Sequence, residues 1–253
     1  TCAADPKFGV QGVGPTAYTM SLATNGQGAL LAEWAYNEQG WRKAYVMKDT
    51  AIEYTKSLCD NFTHRWTELA GEDAIVGSDT WNGINDTSIA GQVSRIKAEG
   101  ADADVIMWCG FTNNGAALRQ VRSAGIDTPI LGSESMDGAH WLEAVPDLSD
   151  YYIAVYASIY GNDPDPEVQA FMDKFEAKFG EPAPMGHVLT GYSVVEAYAR
   201  AVEKAGTTDT AAVSAALDEF SDEPLLVGPT TFEPDLHINL NRHMLIMEMQ
   251  NGE

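Results

Sequence analysis

Three side chains in this sequence could together hold a positively charged amine. Glu134 supplies a carboxylate, Phe111 an aromatic face, and Tyr54 a ring with a hydroxyl group. A carboxylate binds an ammonium group through charge-assisted hydrogen bonds, and an aromatic face attracts a cation. Each of the three residues follows a short apolar run of the kind found in buried strands. Because open parallel sheets bind ligands beyond the carboxyl ends of their strands, we expect all three at one site.

Each candidate also has a purely structural interpretation. Glu134 could cap a helix that begins near Asp137, Phe111 could fill the core, and Tyr54 could be an exposed loop tyrosine. His187 opens a long helical pattern, where it is either a cleft residue or a surface residue at a helix start. The sequence favours the binding interpretation for the first three and leaves His187 open.

The elements that must position these residues form repeated units of strand, helix and strand. In the unit around the candidate site, residues 105–109 predict a buried strand and 130–131 a second one, with Asn113 or Asn114 as the cap of the helix that joins them. Such units cross over to make parallel sheets.

The other predicted elements of the chain suggest an α/β protein with two lobes. Strands are predicted at 44–47 and 74–76, helices at about 52–70, 140–144, 167–179, 187–204 and 210–220, a turn at Asn25-Gly26, and single strands in LLVGPTTFEP and NRHMLIMEMQNG. Residue 166 is a proline placed to open the helix over 167–179, and Asp209 is placed to cap the one over 210–220.

The charge balance argues against nucleic acid and anionic membranes as partners. The 253 residues include 37 acidic and 15 basic ones, for a net charge of −22. Such a field repels polyanions. The excess of acidic residues fits either a highly soluble surface, as in a saline habitat, or a surface that attracts cationic ligands. No apolar run reaches the roughly 20 residues of a membrane-spanning helix.

The motifs of nucleophilic catalysis, phosphate binding, dinucleotide binding and metal binding are not found in the sequence, whereas its many acidic residues neither exclude nor favour a carboxylate pair for glycoside hydrolysis. The segment GSESMDG does not match the GxSxG nucleophile pattern, and neither phosphate loop nor dinucleotide motif occurs. The histidines and the three cysteines lack metal-ligand spacing, so we predict no metal and no cofactor. Cys109 is interpreted as a small core residue, and Cys2 and Cys59 do not fix the redox compartment.

Six segments resemble the periplasmic solute-binding proteins of branched-chain amino-acid ABC transporters, the leucine/isoleucine/valine-binding type. Their order and spacing carry the resemblance: YTMSLATNGQGALLAEWA, AYVMKDTAIEYTKSL, DTSIAGQVSRIKAEGADADVIMWCGF, ALRQVRSAGIDTPILGSE, GYSVVEAYARAVEKAG and GPTTFEPD. The resemblance implies a type I periplasmic binding protein-like fold, in which two α/β lobes with parallel sheets flanked by helices are joined by hinge strands and hold a ligand between them.

The resemblance also implies roles for individual residues. The ammonium partner matches Glu134, and the aromatic partners match Phe111 and Tyr54. A loop that receives the ligand carboxylate matches Cys2, Ala3 and Ala4, and an aromatic of the side-chain pocket falls at His187. Two departures concern the ligand: Ala4 stands where the family often has a hydroxyl residue, and His187 implies a more polar pocket.

The lobe boundaries follow from the same resemblance. Lobe one is expected at 1–24 and 158–235, lobe two at 25–157 and 243–253, and the hinge crossings near 22–26, 156–160 and 235–243. In the family, further strands of lobe one precede the segment that matches TCAADP, so we expect a fragment or trimmed chain whose lobe one is only partly present.

The implied function is that of a binding protein, not an enzyme. It would capture an amino acid, branched-chain or more polar, and deliver it to an ABC permease in the membrane. The protein would be periplasmic or extracellular, free or lipid-anchored, with its signal peptide removed, and monomeric when complete. A ligand-sensing receptor or amide-responsive regulator of the same fold is the alternative. A hydrolase-like enzyme is a third hypothesis, for which no nucleophile and base are found.

Overall fold

The computed structural model describes residues 1–112 and 114–253, which divide into two compact units. The first unit contains residues 1–26 and 156–245, and the second contains 27–155 and 246–253. The chain therefore passes between the units three times. Asn113, one of the two predicted helix caps, lies outside the described residues.

Strands and helices alternate from residue 19 to residue 132, about the first half of the chain. In chain order the elements are β1 (Thr19–Leu22), α1 (Thr24–Asn37), β2 (Ala44–Asp49), α2 (Glu53–Ala70), β3 (Ile75–Trp81), α3 (Ala90–Glu99), β4 (Val105–Cys109), α4 (Gly115–Ser123), β5 (Ile130–Gly132), β6 (Tyr151–Val155), α5 (Pro166–Phe179), α6 (His187–Ala205), α7 (Thr210–Asp218), β7 (Glu223–Leu225), β8 (Gly228–Thr230), β9 (Ile238–Asn239) and β10 (Leu245–Met249). None of the helices within 1–112 and 114–253 combines the length and apolarity that crossing a membrane requires.

The second unit is built on a six-stranded sheet. Its strand order is β10-β6-β5-β4-β2-β3, and the pairs from β6 through β5, β4 and β2 to β3 are parallel. Lys48 of β2 lies opposite Cys109 of β4, and Trp108 lies opposite Gly132 of β5. This register brings the carboxyl ends of the three strands to one edge of the sheet, from which the loops with the candidate residues leave.

The residues of these strands explain why the sheet is buried on both faces. All five residues of β4 are buried, as are the first four of β2. A continuous apolar run of this length suits a strand that is covered by helices on both sides. One covering helix is α2, whose buried side chains are Thr55, Leu58, Cys59, Phe62 and Trp66.

A disulfide bond joins Cys59 in α2 to Cys109 in β4, with 5.7 Å between their Cα atoms. The interpretation of Cys109 as a plain core residue is therefore wrong, although its burial in the strand is confirmed. Cys2 is the free cysteine among the described residues. Disulfides persist in oxidising compartments, so the bond bears on the redox compartment, which the spacing of the cysteines did not indicate.

The first unit is mainly helical, with two small two-stranded sheets. β1 pairs with β9 in parallel, and β7 pairs with β8 as an antiparallel hairpin. Helices α5, α6 and α7 surround a core to which β1 and the hairpin contribute, including Leu22, Met172, Leu189, Ala197, Leu217, Leu225 and Phe232.

The segment LLVGPTTFEP was predicted as one strand, but it turns back on itself within the β7–β8 hairpin. Gly228 follows the turn with a φ of 104°, which glycine adopts without strain. The buried guanidinium of Arg242 donates hydrogen bonds to the carbonyl oxygens of Val227 and Gly228 and to Thr230 Oγ1. Burial lowers the pKa of Arg242 to about 10. This side chain therefore holds the hairpin in its bent form.

Two other local predictions are wrong. Asn25-Gly26 is not a turn, because α1 already begins at Thr24. The short helix predicted over 140–144 is a single 3₁₀ turn at Leu142–Ala144, preceded by another at Glu134–Met136. The predicted start of α5 is confirmed, with Pro166 in the first turn.

The start of α5 supports a prediction about stability. Asp165 Oδ1 accepts a hydrogen bond from the backbone N–H of Glu167 at 2.8 Å. Because this bond satisfies an N–H that has no partner within the helix, Asp165→Ala should lower the free energy of unfolding by about 1 kcal/mol. Urea denaturation measures the change. The control is Glu176→Ala, which removes an exposed acid from the same helix. Equal midpoints for the two variants would contradict the capping role.

Candidate functional site

Glu134 is a buried carboxylate at the carboxyl end of β5. It is 3% exposed and begins the 3₁₀ turn Glu134–Met136, which is separated from the strand by Ser133. The flanking hydroxyls of Ser133 and Ser135 both donate to the carbonyl oxygen of Gly110, at 2.6 and 2.9 Å. These two bonds fix the backbone on either side of Glu134 to the loop that follows β4.

The capping interpretation of Glu134 is wrong. The next helical turn is Leu142–Ala144, and the residue at its N-cap is Trp141. A buried carboxylate is costly unless it is hydrogen-bonded or paired with a positive charge. The structure places this carboxylate at the carboxyl edge of the sheet, within 3.4 Å of the hydroxyl of Tyr54.

Tyr54 lies next to this carboxylate, as the sequence predicts. It is the second residue of α2, and its hydroxyl oxygen lies 3.4 Å from Glu134 Oε2. The same hydroxyl donates a hydrogen bond to Gln27 Oε1 at 2.9 Å. The structure thus brings together two predicted residues and a third that was not predicted.

Gln27 is a neighbour of the candidate site that the sequence did not predict. It lies in α1, is 1% exposed, and is in line with the buried Leu31 and Ala35 at four-residue spacing. A glutamine within the apolar stripe of a helix must satisfy its amide inside the protein. A polar residue within this apolar stripe is the feature of the sequence that could have identified Gln27.

Phe111 does not fill the core, since it is 39% exposed. It lies two residues beyond the end of β4, and its backbone N–H donates to Asn114 Oδ1. The same oxygen accepts a hydrogen bond from the indole of the buried Trp108, whose ring centroid is 4.7 Å from that of Trp81. Asn114 therefore anchors the Phe111 loop to the end of the sheet.

The predicted residues of the amino-terminal loop lie in the first unit, along β1. The carbonyl oxygens of Cys2 and Ala3 accept hydrogen bonds from the hydroxyls of Ser21 and Thr19, at 2.7 and 2.6 Å. The carbonyl oxygen of Ala4 accepts from the backbone N–H of Thr24. The loop is thus tied to β1 and to the start of α1 through its carbonyl groups.

His187 is the first residue of α6 and also belongs to the first unit. Its ring makes an edge contact with Tyr156, with 5.5 Å between centroids. The hydroxyl of Thr190 donates to the carbonyl oxygen of His187 and lies 3.1 Å from Cys2 Sγ. Within this unit, Cys2 and His187 are therefore joined through Thr190. Among the described residues, no cluster of three or more His, Cys, Asp or Glu could hold a metal ion.

Comparison with known proteins identifies the family. A sequence model described as "Periplasmic binding protein" matches residues 6–253. The chain is 30% identical over 149 residues to the leucine-, isoleucine-, valine-, threonine- and alanine-binding protein of Pseudomonas aeruginosa, covering 58% of this chain and 39% of the relative. It is 29% identical over 238 residues to a Leu/Ile/Val-binding protein of Rhizobium johnstonii, covering 88% of this chain and 62% of the relative.

A solved structure gives the same picture of the fold. The branched-chain amino acid transporter substrate-binding protein of Streptococcus pneumoniae, in complex with isoleucine, superposes with a TM-score of 0.77 at 24% identity. The match covers 91% of this chain and 63% of that one, so the chain spans less than two thirds of the length of these relatives. The type I fold and the resemblance expected from the sequence are confirmed. The chain belongs to the periplasmic binding protein family.

Proposed function

We propose that this protein captures an amino acid outside the cytoplasm and delivers it to an ABC permease. The observation that carries the proposal is the buried carboxylate of Glu134 beside the hydroxyl of Tyr54 at the carboxyl edge of a parallel sheet. That edge is where such folds bind ligands. The amino-acid ligands named for the relatives support the ligand class.

In this proposal the second unit binds the ammonium group. Glu134 provides the negative charge, Tyr54 provides a hydroxyl oxygen, and the exposed ring of Phe111 provides an aromatic face. An ammonium group has three N–H donors and no acceptor, so it needs a site built from acceptors. A carboxylate at such a site also makes charge-assisted hydrogen bonds, which are stronger than neutral ones.

The carboxylate and the side chain of the ligand are assigned to residues of the first unit. The backbone N–H groups of Cys2, Ala3 and Ala4 are the proposed donors to the ligand carboxylate, because Ala4 has no hydroxyl to offer. His187 is the proposed neighbour of the ligand side chain. The proposed ligand is a branched-chain amino acid or a related, more polar one, because an imidazole in that position makes the pocket more polar.

A comparison of two ligands that differ in one group tests the proposal. L-leucine and 4-methylpentanoate share the carboxylate and the branched side chain, but only leucine carries an ammonium group. We expect leucine to raise the melting temperature and 4-methylpentanoate to leave it unchanged. A ligand at 100 times its dissociation constant stabilises the folded state by about 2.7 kcal/mol, which a thermal-shift assay resolves.

The same assay extends to other amino acids, amides and aromatic acids, and ranks them by the shift they cause. Each amino acid is paired with the acid that lacks its amine. If the deaminated acids stabilise the protein as much as their parents do, the ammonium site is refuted. If no amino acid causes a shift, the proposed function is refuted.

A further inference from the structure

The disulfide between Cys59 and Cys109 joins two elements that carry candidate site residues. Cys59 lies in α2, five residues after Tyr54, which corresponds to about 7.5 Å along the helix axis. Cys109 is the last residue of β4, two residues before Phe111. Both cysteines are fully buried. The bond therefore ties the helix of Tyr54 to the strand from which the Phe111 loop leaves.

The residue that follows this bond also holds the segment of the third candidate. The carbonyl oxygen of Gly110 accepts hydrogen bonds from the hydroxyls of Ser133 and Ser135, the two neighbours of Glu134. These three residues are buried, so water competes little for the two bonds. Gly110 is also closely packed, since a Cβ atom on it would lie 2.6 Å from the indole nitrogen of Trp108. The position of Glu134 therefore depends on a residue directly beside the disulfide.

We infer that the disulfide is a positioning element of the candidate ammonium site, which fixes Tyr54, Phe111 and Glu134 relative to one another and so raises the affinity for the ligand. A site that already has its bound geometry loses less conformational freedom when the ligand binds. The inference rests on the proposed function, because it concerns how that site is held ready for an amino acid.

Packing alone would hold these elements less exactly. Helix α2 packs in the second unit through buried side chains that include Leu58, Phe62 and Trp66. Hydrophobic attraction has no preferred direction, so it tolerates small shifts of a helix along the sheet that it covers. A covalent bond between helix and strand opposes such shifts. Small misplacements of binding groups are costly, because each has to be corrected when the ligand binds.

The first test compares affinities for L-leucine by calorimetry at pH 7. We expect Cys59→Ala/Cys109→Ala to weaken binding about 10-fold while circular dichroism shows a folded protein. Ile96→Ala is the matched control. Ile96 is 2% exposed in α3 of the same unit, so its truncation leaves a cavity and lowers stability at a distance from the three candidates. The control should bind leucine as the parent does. Equal losses of affinity in the two variants would overturn the inference.

A second variant keeps the disulfide and cuts the connection behind it. Ser133→Ala/Ser135→Ala removes both donors to the carbonyl oxygen of Gly110 and should weaken leucine binding about 5-fold. In the disulfide-free background the same pair should cost less than about 2-fold, since Gly110 no longer has a fixed position to pass on. Unchanged affinity in the parent background, or equal losses in both backgrounds, would contradict the inference.

A third measurement needs no ligand. The backbone N–H of Ser133 donates to the carbonyl oxygen of Trp108, and that of Ile130, at the start of the same strand, donates to Asp150. Hydrogen exchange at Ser133 should become about 10-fold faster relative to Ile130 in the disulfide-free variant, because the loss of order is local. In Ile96→Ala the ratio should stay that of the parent. An unchanged ratio in the disulfide-free variant would refute the positioning role.

The outcomes separate a failure of this inference from a failure of the proposed function. If the parent binds no amino acid, the proposed function fails, and the claim about affinity fails with it. If the parent binds leucine and the folded disulfide-free variant binds it equally well, the positioning role alone fails.

Discussion

Replacing Glu134 by glutamine is expected to weaken amino-acid binding by about 30-fold to several thousand-fold, which corresponds to roughly 2–5 kcal/mol. Glutamine has nearly the same shape but cannot carry charge. The ligand ammonium would then be buried without a counter-charge at a position where the native carboxylate is 3% exposed. Calorimetry with L-leucine at pH 7 measures the loss.

The control for this variant is Glu143→Gln. Glu143 is an exposed acid in the nearby turn Leu142–Ala144, so its replacement removes the same charge without touching the site. It should bind leucine as the parent does. Circular dichroism of both variants separates lost binding from lost folding. A folded Glu134→Gln protein with the affinity of the parent would show that the ammonium site is elsewhere.

The second large effect concerns the disulfide between Cys59 and Cys109. Removing it with Cys59→Ala and Cys109→Ala should lower the free energy of unfolding by about 4 kcal/mol in the chain-entropy description of cross-links. The two cysteines are 50 residues apart in sequence, so the bond closes a long loop of the unfolded chain. It also connects a covering helix directly to a central strand of the sheet.

Urea denaturation of the double variant and of the parent tests this effect, with Cys2→Ser as the control because Cys2 is the free cysteine. The control should unfold at nearly the same urea concentration as the parent. Unfolding the parent with and without a reductant gives an independent measurement. The same midpoint in the oxidised protein and in the double variant would mean that the cross-link adds no stability.

The positions of the candidate residues along the sheet could be predicted because the signal is local. The apolar run of β4 and the short run of β5 identify the strands, and the parallel connection places Phe111 and Glu134 after their carboxyl ends. Tyr54 follows β2 by the same rule. The contact of Tyr54 with Glu134 depends on more than this rule, because β4 lies between β2 and β5 and the Tyr54 hydroxyl also bonds Gln27 in α1.

The features that could not be predicted depend on contacts between distant parts of the chain. Three cysteines allow three pairings, and spacing does not choose among them. The Asn25-Gly26 pair resembles a turn signal, yet the helix runs through it. At Gly28 in the same helix, packing requires a glycine, because a Cβ atom there would lie 2.6 Å from the backbone nitrogen of Phe62 in α2. That glycine allows close packing of two helices, which the local sequence does not reveal.

Trp81 and Trp108, at the edge of the sheet, are intrinsic chromophores close to the Phe111 loop. Trp81 and Trp108 are close enough for their electronic transitions to couple, and both rings are buried. Because the Trp108 indole and the backbone of Phe111 share one acceptor on Asn114, a displacement of the Phe111 loop alters the surroundings of a chromophore. Changes at the aromatic part of the candidate site can therefore be followed by near-ultraviolet circular dichroism and intrinsic fluorescence, with no dye attached.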